Sequence, residues 1–247
     1  MKILSSIISE FLQSLELAFK DKFILFIFLG TIVIALLMLL FFSILERKRK
    51  KRFKELSKTL NWSYTPMPEK DFINSLGNFN LFARGLPRRA ENILTGVWNN
   101  IPLTVFYYSY FCWIRESGGW TLGIVAFSYL DKQLPSFFIM PKSYSRIIGD
   151  FLGLKPIYPC FSFNLNPNFS GNFAVKGTSE DEIRKTLTPK ILDYLEQRRG
   201  INIEVSGNRI IIYYLSWWFV PKTKPEEIKN FIQEVTIIIK LFNEIKC

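Results

Sequence analysis

An α+β fold behind one membrane helix is predicted by three observations. Residues 23–45 form an apolar run without a charge, followed at once by the basic block at 47–52. Between about residue 90 and residue 140, segments rich in β-branched and aromatic residues are separated by tight-turn pairs. The second half then returns to helical periodicity, with capping patterns ahead of each apolar stripe. Strands joined by tight turns imply antiparallel pairing, and amphipathic helices beside them imply a helical cover over one face of the sheet.

The apolar run has 23 residues, diluted only by Gly30, Thr31 and Ser43. At about 1.5 Å per residue it reaches roughly 34 Å, enough for a hydrocarbon core of about 30 Å with some tilt. Lipid offers no partner for backbone polar groups, so the span must be helical. A cleaved signal peptide is not the expected reading, because the apolar region is too long and no small-residue cleavage site follows. Arg47, Lys48, Arg49, Lys50, Lys51 and Arg52 outweigh Lys20 and Lys22 on the other flank. The positive-inside rule therefore orients the C-terminal portion to the cytoplasm and the short N-terminal tail outside, in a cell (inner) membrane. The same block is a candidate contact for anionic headgroups, although six consecutive helical residues point in all directions and suit a topology signal better.

The net charge of +11 belongs mostly to this block: residues 46–54 carry +6, and residues 1–22 sum to zero. The remaining +5 is modest for a domain of this size, so nucleic acid is not an expected partner. Cys112, Cys160 and Cys247 are widely spaced and odd in number, which fits free thiols in a reducing compartment.

Ahead of the span, Leu4, Ile7, Ile8, Phe11, Leu12 and Leu15 recur at helical spacing among polar residues, predicting an amphipathic segment on the membrane or against another helix. Past the span, Phe53, Leu56 and Leu60 keep the helical period, so the helix is expected to run to about Leu60, with a domain over residues 61–247 after the turn-rich stretch 61–68. Strands are expected at 92–98 and 101–113 around an Asn99-Asn100 type I′ turn, then at 120–130 and 136–140. Ser143 is placed to cap a helix to Phe151, and residues 155–172 read as a loop, followed by a short strand to Lys176. Ser179-x-x-Glu182 reads as a capping box, Thr188-Pro189 as a new helix start, and Thr223-x-x-Glu226 as the start of the last helix. A hairpin is expected around Gly207-Asn208, with its second strand, 209–219, apolar on both faces and central in the sheet. Trp217 and Trp218 at its end are candidates for headgroup contact, where Trp is favoured.

The chain has no histidine, which removes Ser-His-Asp and Cys-His catalysis and His-based metal sites. No Walker A loop, G-x-G-x-x-G or EF-hand pattern occurs. The acidic run Glu180-Asp181-Glu182 falls in a first helical turn, where carboxylates favour the positive end of the helix dipole. No cofactor and no metal are expected. Arg84, Arg88 and Arg89, with Asn92 nearby, are the best candidates for an anion or partner site, because guanidinium groups grip phosphate and carboxylate bidentately. The aromatic stretch at 106–111 is read as alternating faces of a sheet rather than as a base-stacking platform.

Trp62 in N-W-S-Y, Leu81, Phe82 and Gly85 ahead of Arg88-Arg89 and Asn92, Leu134-Pro135-x-Phe137 leading to Pro141, Pro167-x-Phe169-Ser170 ahead of Gly177, and Tyr213 together carry a resemblance. Over roughly residues 60–245 the chain resembles a family of prokaryotic proteins of unknown function with one or a few N-terminal membrane spans. The resemblance implies a recurring cytoplasmic domain tethered to a membrane and brings no activity with it. The expected function is a membrane-tethered, non-enzymatic interaction or scaffolding module whose partners are the lipid bilayer and another protein. The alternative is a module that binds anionic lipid or nucleic acid at the membrane surface. Nothing positive in the sequence supports an enzyme built on carboxylates, Cys112 or Cys160.

Overall fold

The computed structural model describes residues 8–10, 13–14, 22–114, 117–142, 161–163, 167–217 and 224–245. The chain divides into two compact units, Met1–Arg49 and Lys50–Cys247.

In the first unit, residues 8–10 and 13–14 are helical. Helix α1, Lys22–Leu60, begins there and crosses into the second unit as one 39-residue helix. Among the described residues it is the one helix long and apolar enough to cross a membrane, and none of its most apolar window is buried in protein. Phe26 is 76% exposed and Leu39 66%, a surface that needs lipid rather than water around it. The Thr31 hydroxyl donates to the Phe28 carbonyl at 2.8 Å, so that hydroxyl is satisfied within the helix.

The second unit takes Phe53 and Leu56 from the end of α1 into its core. Asn61, at φ 54°, ends the helix, and the Trp62 amide closes back on the Ser57 carbonyl at 2.8 Å. The turn-rich stretch 61–68 contains strand β1, Ser63–Thr65, and two short helices follow it, α2 at Phe72–Leu76 and α3 at Asn80–Ala83. Strands β2, Arg88–Trp98, and β3, Ile101–Ile114, meet at Asn99-Asn100, both at positive φ, as a type I′ turn requires. β2 starts four residues before the expected position and absorbs Asn92 as a bulge at φ 56°, where its register on β3 shifts by one residue.

The expected strands at 120–130 and 136–140 are one strand, β4, Ser117–Pro141. The expected hairpin at Gly207-Asn208 is absent, and β7, Ile201–Trp217, runs through it and pairs with β4 along its length. Both corrections have one cause. Between the Tyr129–Arg209 and Phe137–Val205 pairs, eight steps on β4 face four on β7, so the extra residues of β4 bulge out where a break was read. Pro135 and Gly207 (φ 62°) sit in this bulge, one of the places in a sheet where Pro is tolerated. The bulge docks on the last helix: the Asp131 amide donates to Asn243 Oδ1, and Lys132 Nζ to the Ile245 carbonyl.

Residues 161–163 and 167–172, within the expected loop, are strand β5, Phe161–Phe163, and helix α4, Pro167–Asn172, and β6 is Phe173–Gly177. The proposed helix from Ser143 lies outside the described residues. Helices α5, Glu180–Thr186, and α6, Pro189–Glu196, start where expected, although Ser179 makes no side-chain capping bond. The last helix, α7, is Pro225–Asn243 with Lys224 rather than Thr223 at its N-cap; Glu227 accepts the Lys224 amide at 3.1 Å. Its expected stripe, from Ile228 through Phe231, Val235 and Ile238 to Phe242, is buried.

The sheet is antiparallel throughout, in the order β1-β2-β3-β4-β6-β5, with β7 on β4. Among the described residues β7 pairs with β4 alone, so it is not central. It is nevertheless covered on both sides: Ile210 and Ile212 join the core under α5, α6 and α7, while Ile211 and Tyr213 join a second core under α2 and α3. Helical cover therefore lies on both faces, not one.

Candidate functional site

The juxtamembrane basic residues lie on α1. Arg47, Lys48 and Lys51 are exposed, while Arg49, Lys50 and Arg52 are half-buried. Lys51 makes an exposed ion pair with Glu55 at 3.8 Å, worth little in water. Trp217 closes β7, and Trp218 lies outside the described residues.

The Arg84, Arg88, Arg89 and Asn92 group does not converge on one point. Arg88 is half-buried and spends its guanidinium on the backbone: Nε donates to the carbonyls of Arg84 and Gly85, and Nη2 to that of Ala83. Arg89, one residue on, faces the opposite side of the strand and lies over the Trp120 ring at 5.9 Å from its centroid. Asn92 is fully buried in the β2 bulge, where its Oδ1 accepts the Tyr64 hydroxyl at 2.9 Å and its backbone N–H donates to the Pro66 carbonyl at 3.0 Å.

Arg84 turns inward. It is 4% exposed and sits among Tyr110, Tyr213 and Glu204. Burial works against its charge, but the acidic groups of Tyr213, Tyr110 and Glu204 outweigh that and raise its pKa above the ordinary value. Glu204, on β7, is wholly buried and holds the α3 segment from below. Its carboxylate accepts the Asn80 amide at 2.6 Å, the Leu81 amide at 3.0 Å and the Tyr213 hydroxyl at 2.7 Å. Burial first, then Glu204, pushes the Tyr213 phenol well above its usual pKa. Sequence reasoning missed Glu204 and Asn202. Their signal was present: two polar residues at period two in the apolar strand I-N-I-E-V, which puts both on one face.

A second polar cluster joins β7 to α7. Tyr214 donates to Glu234, and Arg198 Nε lies 3.1 Å from the same carboxylate. Burial is the main cause that raises the Glu234 carboxyl, with Tyr214 and Arg198 opposing it. An open groove of about 350 Å³ lies between β1, β2 and α2, with Glu69, Asp71 and Ser75 beside Phe72 and Ile93. Glu180 to Glu182 fall in the first turn of α5, and Glu180 pairs with Arg184 at 2.8 Å. Cys112 is a buried free thiol on β3; Cys160 and Cys247 lie outside the described residues.

No family model and no curated protein matches the chain. Among solved structures, the chain is similar to the mycobacterial trehalose monomycolate transport factor A, TtfA, with a TM-score of 0.54 and 13% identity, over 81% of this chain and 94% of that one. At that identity the likeness is one of fold: an α+β domain with a mainly antiparallel sheet.

Proposed function

We propose that this chain is a membrane-tethered, non-enzymatic module that binds a protein partner at the cytoplasmic face of the inner membrane. The observation that carries the reading is α1, whose apolar run continues as one helix into Phe53 and Leu56 of the domain core. A domain built onto its anchor in this way works at a bilayer surface. The buried groups Arg84, Glu204 and Tyr213 in one cluster, and the half-buried Glu234 and Tyr214 in the other, are engaged with one another, which is how structural networks use charge. The fold likeness to a protein named as a transport factor suggests the class of partner: a transport machinery in the same membrane.

In-cell crosslinking of the full-length protein, read by mass spectrometry, tests this. The expected result is one dominant partner linked to residues within 61–247. Self-crosslinks alone, or none, would overturn it. The basic block supports the orientation, through the positive-inside rule. A cysteine in place of Met67, which is 69% exposed, should stay unlabelled by an impermeant maleimide in intact cells and react once they are opened. Labelling of intact cells would place the domain outside.

A further inference from the structure

One patch of the domain surface sets exposed apolar side chains beside a guanidinium. Gly85, at φ 56°, brings the chain so close to β3 that a Cβ there would stand 2.2 Å from the Phe111 carbonyl oxygen. The Leu86 amide then bonds that same oxygen at 2.9 Å, and the Phe111 amide bonds the Pro87 carbonyl. This turn holds the Leu86 side chain 70% exposed. Beside it, the Phe111 and Trp120 rings pack edge to face at 5.6 Å, and Trp120 keeps 39% of its surface exposed. The Arg89 guanidinium covers the indole. Phe111 and Trp120 are register partners, and Arg89 pairs with Ser109 two residues earlier on β3, so the three share one sheet face.

We propose that Leu86, Arg89, Phe111 and Trp120 form a docking surface for an anionic lipid monolayer. The inference goes beyond the protein-partner reading and does not depend on it. Three arguments select lipid. The patch joins an apolar body to a guanidinium, and indole and guanidinium groups are both at home in the headgroup layer, where Arg complements anionic lipid. Four side chains present only a few hundred Å², far short of the roughly 800 Å² per partner of a stable protein interface. A chain anchored by α1 has already lost the freedom that free association would cost, so a small patch suffices for a lipid surface held within reach.

The test uses the full-length chain in nanodiscs, with Cys160→Ser and Cys247→Ser and the buried Cys112 left in place. A bimane label is attached at Leu86→Cys, its apolar ring standing in for the leucine. The control is the same label at Val97→Cys, 61% exposed at the turn end of β2. Lipids brominated near the headgroup report contact by quenching. The expected result is quenching at position 86 in phosphatidylglycerol discs, weaker in pure phosphatidylcholine, and little at position 97. Arg89→Glu, at an exposed site, changes the charge by two units and should lower the docking constant by about thirtyfold, since each unit charge near an anionic surface contributes ~1 kcal/mol, about fivefold. Trp120→Ser should lower it as well. Quenching at 86 no greater than at 97, or unchanged by Arg89→Glu, overturns the proposal. So does protection of position 86 that arises only when membrane proteins are present and never in pure lipid. Crosslinking to a partner would be unaffected by any of these results.

Discussion

The Tyr213 hydroxyl donates to Glu204 Oε1 across 2.7 Å, linking two residues nine positions apart on one strand. Both belong to the face of β7 that α3 covers, and Arg84, at the end of α3, lies within electrostatic reach of both. Glu204 thereby replaces, for the amides of Asn80 and Leu81, the partners that a helix start otherwise takes from its own N-cap. Removing it strands two backbone amides and a hydroxyl in the buried interior and takes a nearby carboxylate away from the Arg84 guanidinium. Glu204→Ala is expected to cost about 3–5 kcal/mol, because an uncompensated buried charge remains. Adding Arg84→Met should recover part of that loss, with a coupling of about 1–3 kcal/mol in a double-mutant cycle followed by thermal unfolding of the detergent-solubilised protein. Strictly additive costs would show that the two side chains do not sense each other.

Arg88 and Arg89 are neighbours in sequence with opposite uses. Arg88 reaches three carbonyls with the fork of one guanidinium, which a lysine ammonium cannot span. Arg88→Lys should therefore destabilise by about 1–2 kcal/mol. Arg89→Lys, at an exposed site, should fall within about 0.5 kcal/mol of the parent. Unfolding curves of the two variants decide this, and coincident curves would mean that the carbonyl contacts of Arg88 contribute nothing.

The parts of the fold that were legible in the sequence are those set by local chemistry. Asn99-Asn100 announces its turn because few other residues tolerate two successive positive φ values, and α7 announces its buried face through Ile228, Phe231, Val235 and Phe242. The length of β4 and β7 was not legible. Pro135 and Gly207 carry the same signals as strand ends, and only the pairing of the two strands turns a break into a bulge. The arginine group illustrates the same limit at a site. Its residues were found, but the partners that receive Arg84 inside, Tyr213 and Glu204, lie 129 and 120 positions away in sequence and are brought close only by the fold.

Among the described residues, the phenols of Tyr108, Tyr110, Tyr213 and Tyr214 are raised above their ordinary pKa, in each case with burial as the largest cause. The unfolded chain releases these protons near pH 10, before the folded one does. In that window the unfolded state binds fewer protons, so stability falls as pH rises. The contribution is fully present below about pH 10 and is lost above it. An absorbance titration at the tyrosinate band should show a steep step, coincident with loss of circular dichroism, as the buried phenols open. Smooth ionisation of all the tyrosines with the fold intact would count against the buried assignments.

Gly96 and Trp62 make the tightest steric prediction. A Cβ on Gly96 would stand 2.3 Å from the indole Cδ1 and Cγ of Trp62, so the ring lies directly on the glycine. The indole is held there by Nε1, the ring atom next to Cδ1, which donates to the Val97 carbonyl at 3.1 Å, and Trp62 itself closes the exit of α1. The ring cannot slide away without giving up that bond. Gly96→Ala is therefore expected to cost about 1–3 kcal/mol through overpacking. Gly171→Ala is the matched control, because nothing lies within 4 Å of its Cβ position and the helix around it favours alanine. It should be neutral or slightly stabilising. Thermal unfolding of both variants, with Trp62→Phe in parallel to isolate that indole's fluorescence, separates the two cases. Equal stability of the two alanine variants would show that the ring is free to move.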